Sequence, residues 1–387
     1  MIVHGGTIMH ILFVHGVAAR RGAEYDAAVA ARHAALTRHL LAGAEATFHD
    51  PYWGHLGISA DRELRSIPRD PGTALGFGGQ GPGPLAPEER LSERALLDAA
   101  TSDLGAVLNS LSIALAAEGD PQAEVLAGKV GAYASALDSG RDDGLRTPAW
   151  VAGVRDDGEF LRRLHQEVDG MAAPKALGVA DWLKRAGLRA LGAGLDLVSG
   201  PAAELTRGFT PQIATFIGDV FVYLRDGAQR DEIRRIVAED LGKAARSARE
   251  DGTPFVVMGH SMGAIILHDM LGDRETVAGI EAAAGCELRI DLLLTVGTQI
   301  GLFEELGLFG GERLGGPASA PPAARLWWHV LNRMDVLSFG VDGVVAGATQ
   351  FSIDTDASVR DAHSAYFISP VFHQRLRKRM IAAGLLR

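Results

Sequence analysis

The chain is 387 residues long, 47% hydrophobic and 22% charged, with a formal net charge of −10. That is an ordinary globular composition, enough for one large domain or a core with a sizeable insertion. The negative balance without any basic tract argues against nucleic-acid binding, and no run of about 18 apolar residues offers a membrane span. Cys286 is the only cysteine, so neither an intramolecular disulfide nor a cysteine metal cluster is available. The amino terminus MIVHGGTIMH lacks the basic-then-apolar order of a secretory signal, which makes the cytoplasm the expected location. Met9 is a second candidate start, which leaves the role of residues 1–8 open.

His10 to Val14 (HILFV) is short and continuously apolar, the signature of a buried strand, and it ends at His15-Gly16. Residues near 24–42 are rich in Ala and Leu and predict a helix. Glu45 to His49 predicts a second strand, and Pro51-Tyr52-Trp53-Gly54 an aromatic turn. From about 59 to 211 the character changes. Residues 67–90 are crowded with Pro and Gly and read as a loop, followed by helical stretches near 91–117, 121–138, 156–170 and 175–198. A helical block of this kind between αβ segments predicts a cap or lid insertion over 59–211, with the core drawn from 9–58 and 212–387.

The αβ rhythm resumes at Asp219. Ile233, Ile236, Val237, Leu241, Ala244 and Ala248 fall at helical spacing within 229–249. Pro254 to Met258 then predicts a strand, and an apolar segment of helix length begins after Ser261. Further strands are expected at Arg289–Val296, Arg325–Leu331 and Gln350–Ile353, with a Gly/Pro-rich loop over 301–322. The chain closes on a helix from Pro370, with Ser369 as N-cap and a basic end that favours the negative dipole pole. Short apolar strands alternating with helices imply a mostly parallel central sheet flanked by helices.

Between strand and helix stands Gly259-His260-Ser261-Met262-Gly263. The G-x-S-x-G pattern alone is common in a chain with 48 glycines; its specificity comes from the strand before it and the helix after it. In such an elbow Gly259 and Gly263 are small because the turn presses neighbouring backbone together. The helix start directs free N–H groups at a developing oxyanion.

A serine hydroxyl needs a base, and the base an orienting acid, each on a loop at the carboxyl end of a strand. The chain order expected for an elbow serine is Ser, then Asp or Glu, then His. Asp335 lies four residues past the strand ending at Leu331 and is the preferred acid. Asp342 is later in the same loop, Asp291 sits at the wrong strand end, and Asp354 and Asp356 are close to the base in sequence. His363, in Asp361-Ala362-His363-Ser364-Ala365-Tyr366, is the preferred base. His329 lies in a strand, His373 in the last helix, His268 on the elbow helix, and His260 is the elbow's variable residue. The oxyanion donors are assigned to the N–H groups of Met262 and Val17, with His15 and Gly16 as supports of the second.

The pieces FVHG (13–16), VVMGHSMGA (256–264), TVGTQIG (295–301), NRMD (332–335) and DAHSAY (361–366) resemble the α/β-hydrolase superfamily, particularly its lipase and esterase branches. Asp219 to Leu224 (DVFVYL) is similar to a segment of bacterial and GPI-inositol-deacylase-like lipases. The resemblance implies an α/β-hydrolase fold carrying a large helical cap insertion. It also implies cleavage of a small-molecule or lipid ester through Ser261, His363 and Asp335, without metal or cofactor. The chain departs from the family at Gln299, where a proline often stands, and throughout 59–211. The competing expectation is a silent or partner-regulated module of the same fold that binds a protein through its helical insertion.

Overall fold

The computed structural model describes residues 9–17, 19–57, 95–116, 120–138, 145–169, 218–309, 319–332, 335, 337–353 and 362–386. The Pro/Gly-rich stretch over 67–90 and the helix expected over 175–198 lie outside the described residues, as do Arg333, Met334, Asp354, Asp356 and Asp361. The chain divides into two compact units. The first is drawn from Met1–Ile67, Gly208–Leu331 and Val336–Phe351, the second from Pro68–Arg207, Asn332–Asp335 and Ser352–Arg387.

Six strands make the sheet: β1 (His10–Val14), β2 (Thr47–His49), β3 (Phe255–His260), β4 (Leu292–Val296), β5 (Trp327–Leu331) and β6 (Ala348–Ser352). Their spatial order is β2-β1-β3-β4-β5-β6, and the pairs from β2 through β5 are parallel. β1 and β4 are buried at every position, as expected for strands with helices on both faces. β2, β4 and β5 are shorter than the runs that announce them, whereas β1 has its expected bounds and β3 and β6 hold one residue more than expected. Ile290, for example, makes an isolated bridge to Ala324 rather than extending β4.

The helices of the described chain are α1 (Ala23–Ala35), α2 (Ala95–Ser102), α3 (Leu104–Ala116), α4 (Pro121–Leu137), α5 (Asp157–Asp169), α6 (Ala228–Asp251), α7 (Met262–Gly272), α8 (Arg274–Ala284), α9 (Ile300–Glu305) and α10 (Pro370–Ala382). Residues 218–224 form a further short helix. α1 ends earlier than the sequence predicts, because Leu36–Leu40 continues as a wider π turn. The expected helix over 91–117 is broken at Asp103, whose carboxylate accepts the Ala106 N–H at 3.0 Å and so starts a new helix. Among the described residues no helix is long and apolar enough to cross a membrane.

In the first unit α6 buries Ile233, Val237, Leu241, Ala244 and Ala248 and stops at Gly252, which adopts a left-handed φ of 65°. α7 is buried at all eleven positions. Both helices contribute to one apolar core with β1, β3 and β4. Burying a Leu, Ile or Met side chain contributes about 1.5–3 kcal/mol, so α7 with Ile265, Ile266, Leu267, Met270 and Leu271 is a principal anchor of this unit.

In the second unit α3, α4 and α10 pack together. The sequence placed 352–387 with the sheet, whereas by packing the terminal helix α10 belongs with the inserted helices. The reason is chemical. Asp138, at the end of α4, is buried and accepts Arg375 Nε at 3.0 Å and Arg379 Nη2 at 3.4 Å. Lys378 Nζ donates to the carbonyls of Ser135 and Asp138 at 2.8 and 2.9 Å. A Cβ on Gly131 would stand 3.0 Å from the Pro370 carbonyl, so α4 and α10 are nearly in backbone contact there.

Gly263 and Gly279 make a paired test. A Cβ at Gly263 would meet Val14 O at 2.1 Å, whereas one at Gly279, inside α8, meets nothing within 4 Å. Gly263→Ala is expected to destabilise by about 1–3 kcal/mol through overpacking against backbone. Gly279→Ala is expected to stabilise by roughly 0.5–1 kcal/mol through helix propensity. Denaturant unfolding of the two variants checks the signs, and equal effects would contradict the packing described for the β3–α7 turn.

Candidate active site

The strand order reverses between β1 and β3: the chain goes from β1 outward to β2, then returns to place β3 on the other side of β1. In open parallel sheets ligands bind beyond the carboxyl ends of the strands at such a switch point. Both of this sheet's candidate turns lie there. His15-Gly16-Val17 leaves β1, and Ser261 follows β3 directly.

Ser261 has φ 54° and ψ −126°, one of two described non-glycine residues with positive φ. A serine held there is strained by about 1–3 kcal/mol. It is 1% exposed, and its Oγ makes no hydrogen bond among the described residues. The neighbouring glycines explain how the turn closes. A Cβ on Gly259 would lie 2.6 Å from Ala264 Cα, and one on Gly263 would overlap the Val14 carbonyl. His260, the last residue of β3, is half-buried. Met262 opens α7, so its N–H is one of the helix-start donors with no intrahelical acceptor.

Gly16 brings the other turn against the serine. A Cβ there would stand 2.8 Å from Ser261 Cβ and 3.3 Å from its Oγ. Val17 follows, half-buried against the core. His15 holds this turn in a way the sequence did not disclose. Its Nδ1–H donates to Gly16 O at 2.8 Å, and its Nε2 accepts the Trp53 N–H at 3.3 Å. The Trp53 indole N–H donates back to His15 O at 3.0 Å, and the two rings stack with centroids 4.9 Å apart. Burial is the largest cause that lowers the His15 pKa to about 4, so the ring is a neutral clamp. Gly54 completes the arrangement, since a Cβ there would fall 1.8 Å from Ala19 O. The signal for this clamp was the aromatic turn PYWG, whose partner across 38 residues no local pattern names.

The expected triad is divided between the units: Ser261 in the first, Asp335 and His363 in the second. Asp335 and His363 are brought together, with the ring's Nδ1–H donating to Asp335 Oδ2 at 2.8 Å. Asp335 is almost fully buried, and the His363 side chain is 21% exposed. The turn that carries Asp335 is closed by its N–H donating to Asn332 O at 3.1 Å, and Asn332 Nδ2 reaches Ala362 O at 3.4 Å, beside His363. Tyr366 OH also donates to Asp335 Oδ2, at 3.1 Å, a partner that no spacing in the sequence singles out.

The other weighed residues have structural occupations. His329 Nε2–H donates to Phe339 O at 2.9 Å while Nδ1 faces Thr295 Oγ1 at 2.9 Å. His268 is buried on α7 with Nε2 2.5 Å from Glu304 Oε1, and His373 Nε2 donates to Phe367 O at 2.9 Å. Asp291 accepts the Phe255 N–H at 3.0 Å at the opposite end of the sheet, and Asp342 is exposed. Among the described residues no group of three or more His, Cys, Asp or Glu side chains is arranged to hold a metal ion. Comparison of the chain with family models, curated proteins and solved structures returns no match.

The buried histidines give a pH dependence. Burial, the largest cause for each, lowers the pKa values of His15 and His329 from 6.5 to about 4. Between those values the unfolded chain binds protons that the folded chain does not. Their contribution is therefore complete above pH 6.5 and is lost as the pH falls through 6.5 to 4. His329→Gln, whose amide retains a donor and an acceptor, is expected to reduce the slope of stability against pH in that window. The reduction is about one proton, or about 1.4 kcal/mol per pH unit. Urea midpoints from pH 4 to 7 for parent and variant read it directly.

Proposed function

We propose that the protein is a serine hydrolase of the α/β-hydrolase type that cleaves carboxylic esters. The observation that carries the reading is Ser261: a non-glycine residue at φ 54°, buried at the strand–helix turn of the switch point, with its hydroxyl against Gly16. Ordinary turns do not hold a serine in that conformation, and strain of this kind concentrates where a side chain must be presented to a reactant. The Asp335–His363 hydrogen bond supports the same reading. With Nδ1–H committed to the carboxylate, Nε2 is the nitrogen that takes a proton.

In this reading His363 Nε2 removes the Ser261 proton as Oγ attacks the ester carbonyl. The oxygen of the tetrahedral intermediate is met by the N–H groups of Met262 and Val17, at the start of α7 and after the His15–Trp53 clamp. Collapse breaks the bond to the alcohol, which leaves with the proton from His363 and gives a Ser261 acyl-enzyme. Water, deprotonated by His363, then attacks the acyl carbon and releases the acid. Asp335 keeps the ring in its Nδ1–H tautomer and stabilises the imidazolium in both halves. A rigid clamp on the oxyanion turn matters because each preorganised donor contributes about 2.7–4 kcal/mol to the transition state, and only when held in place beforehand.

The test is a fluorophosphonate probe on the purified protein, followed by hydrolysis of p-nitrophenyl esters from acetate to palmitate. Labelling is expected and should disappear in Ser261→Ala. Turnover should fall by roughly three orders of magnitude or more in His363→Ala and in Asp335→Asn. The chain-length optimum measures the acyl pocket. Well-folded protein that neither labels nor turns over any ester would refute the reading and favour a binding role for this fold.

A further inference from the structure

Asp335 Oδ2 accepts two hydrogen bonds from one short segment: His363 Nδ1–H at 2.8 Å and Tyr366 OH at 3.1 Å. The spacing has a geometric cause. Tyr366 lies in the 3₁₀ turn Ala365–Ile368, which begins two residues after His363 and keeps the two side chains close along the chain. Both side chains therefore reach the same carboxylate oxygen. Tyr366 is fully buried, and its ring packs edge-on against Phe372 with centroids 6.2 Å apart, so the hydroxyl is held in a fixed position.

We propose that Tyr366 is a positioning residue for the acid–base pair, sharing Asp335 Oδ2 with the His363 ring so that the carboxylate is fixed in rotation and tempered in basicity. The inference rests on the ester-hydrolase reading for its catalytic consequence but not for the contact itself. A second donor on one oxygen withdraws electron density from it, so the bond from His363 Nδ1–H to that oxygen is weaker than it would be alone. Removing the hydroxyl acts in two ways. The carboxylate holds the imidazolium more strongly, and it loses the second contact that sets its plane. A phenol that merely satisfied its own hydrogen bond in the core would change neither the ring's proton nor the pH profile when replaced by Phe.

The experiment uses the full chain and Tyr366→Phe. In proton NMR the hydrogen-bonded Nδ1 proton, assigned by its loss in His363→Ala, is expected to move downfield in Tyr366→Phe. The acidic limb of the kcat/KM profile should move to higher pH by about half to one unit, and kcat should fall roughly 3- to 10-fold with KM within about twofold. Site-specific 3-fluorotyrosine at 366, a stronger donor of nearly the same shape, should shift the resonance and the limb the opposite way. This arm decides the matter if Tyr366→Phe does not fold. An unmoved resonance and an unmoved profile in both proteins would overturn the proposal. A parent that shows no Ser261-dependent labelling overturns the ester-hydrolase reading alone, since the resonance still decides whether Tyr366 acts on Asp335.

Discussion

The first unit depends on the near-contact of two backbones, the turn leaving β1 and the turn joining β3 to α7. Parallel pairing sets Val14 beside Gly259, and beyond that pair the two chains have no room for a Cβ at Gly16, Gly259 or Gly263. The steric term decides the sequence here. A carbon placed 2.1 Å from a carbonyl oxygen must move more than 1 Å to relax, and what it meets is backbone of the central sheet. The same closeness lifts Ser261 into an unfavourable backbone region at a cost of about 1–3 kcal/mol. Complete burial of α7, with several large apolar side chains each contributing about 1.5–3 kcal/mol, exceeds that cost. The strain persists because packing on both sides overdetermines it.

Asp269 and His15, two ionisable groups buried near α7, follow the complementary rule that such a group finds a partner or gives up its charge. Asp269 accepts Tyr223 OH at 2.7 Å, Arg234 Nη1 at 2.9 Å and Arg230 Nη2 at 3.2 Å. Burial first, and the Asp269 charge second, push the Tyr223 phenol upward, so it remains a donor. These bonds tie the elbow helix to the 218–224 helix and to α6, and they fix its rotation, which apolar contacts alone leave loose. His15 takes the other solution. Burial keeps it neutral, and neutrality gives it one donor and one acceptor to close the loop with Gly16 and Trp53.

Much of this was legible along the chain because its causes are local. HILFV, PFVVM and the apolar helix after Ser261 announce a parallel sheet by composition alone. The G-x-S-x-G turn carries its steric reason in its own glycines. Asp335 and His363 followed from strand ends and chain order, and they meet at 2.8 Å. What was not legible has non-local causes. The His15–Trp53 clamp joins residues 38 apart, and the buried Asp138 that captures Arg375 lies 237 residues before it. The break at Asp103 was local but competed with a long helical pattern, and a single capping carboxylate overrode the periodicity. The terminal helix was read with the sheet because its sequence neighbours are there, whereas its partners are not.

That reassignment changes what the helical insertion is for. His363 lies six residues before Ser369, which caps α10 by accepting the Phe372 N–H at 3.1 Å and also donates to Asn109 on α3. α10 itself is fastened to α4 by the Asp138 pair and by Lys378 on the carbonyls at the end of α4. The frame of reference for His363, and through it for Asp335 and Tyr366, is therefore α3 and α4. A buried carboxylate stripped of its guanidinium costs about 3–5 kcal/mol, so Asp138 and Arg375 define one position of α10 against α4 rather than a range of positions. The inserted helices are thereby part of the scaffold that sets His363, and a change deep in α3 or α4 acts on the same hydrogen-bonded pair as a change beside that residue.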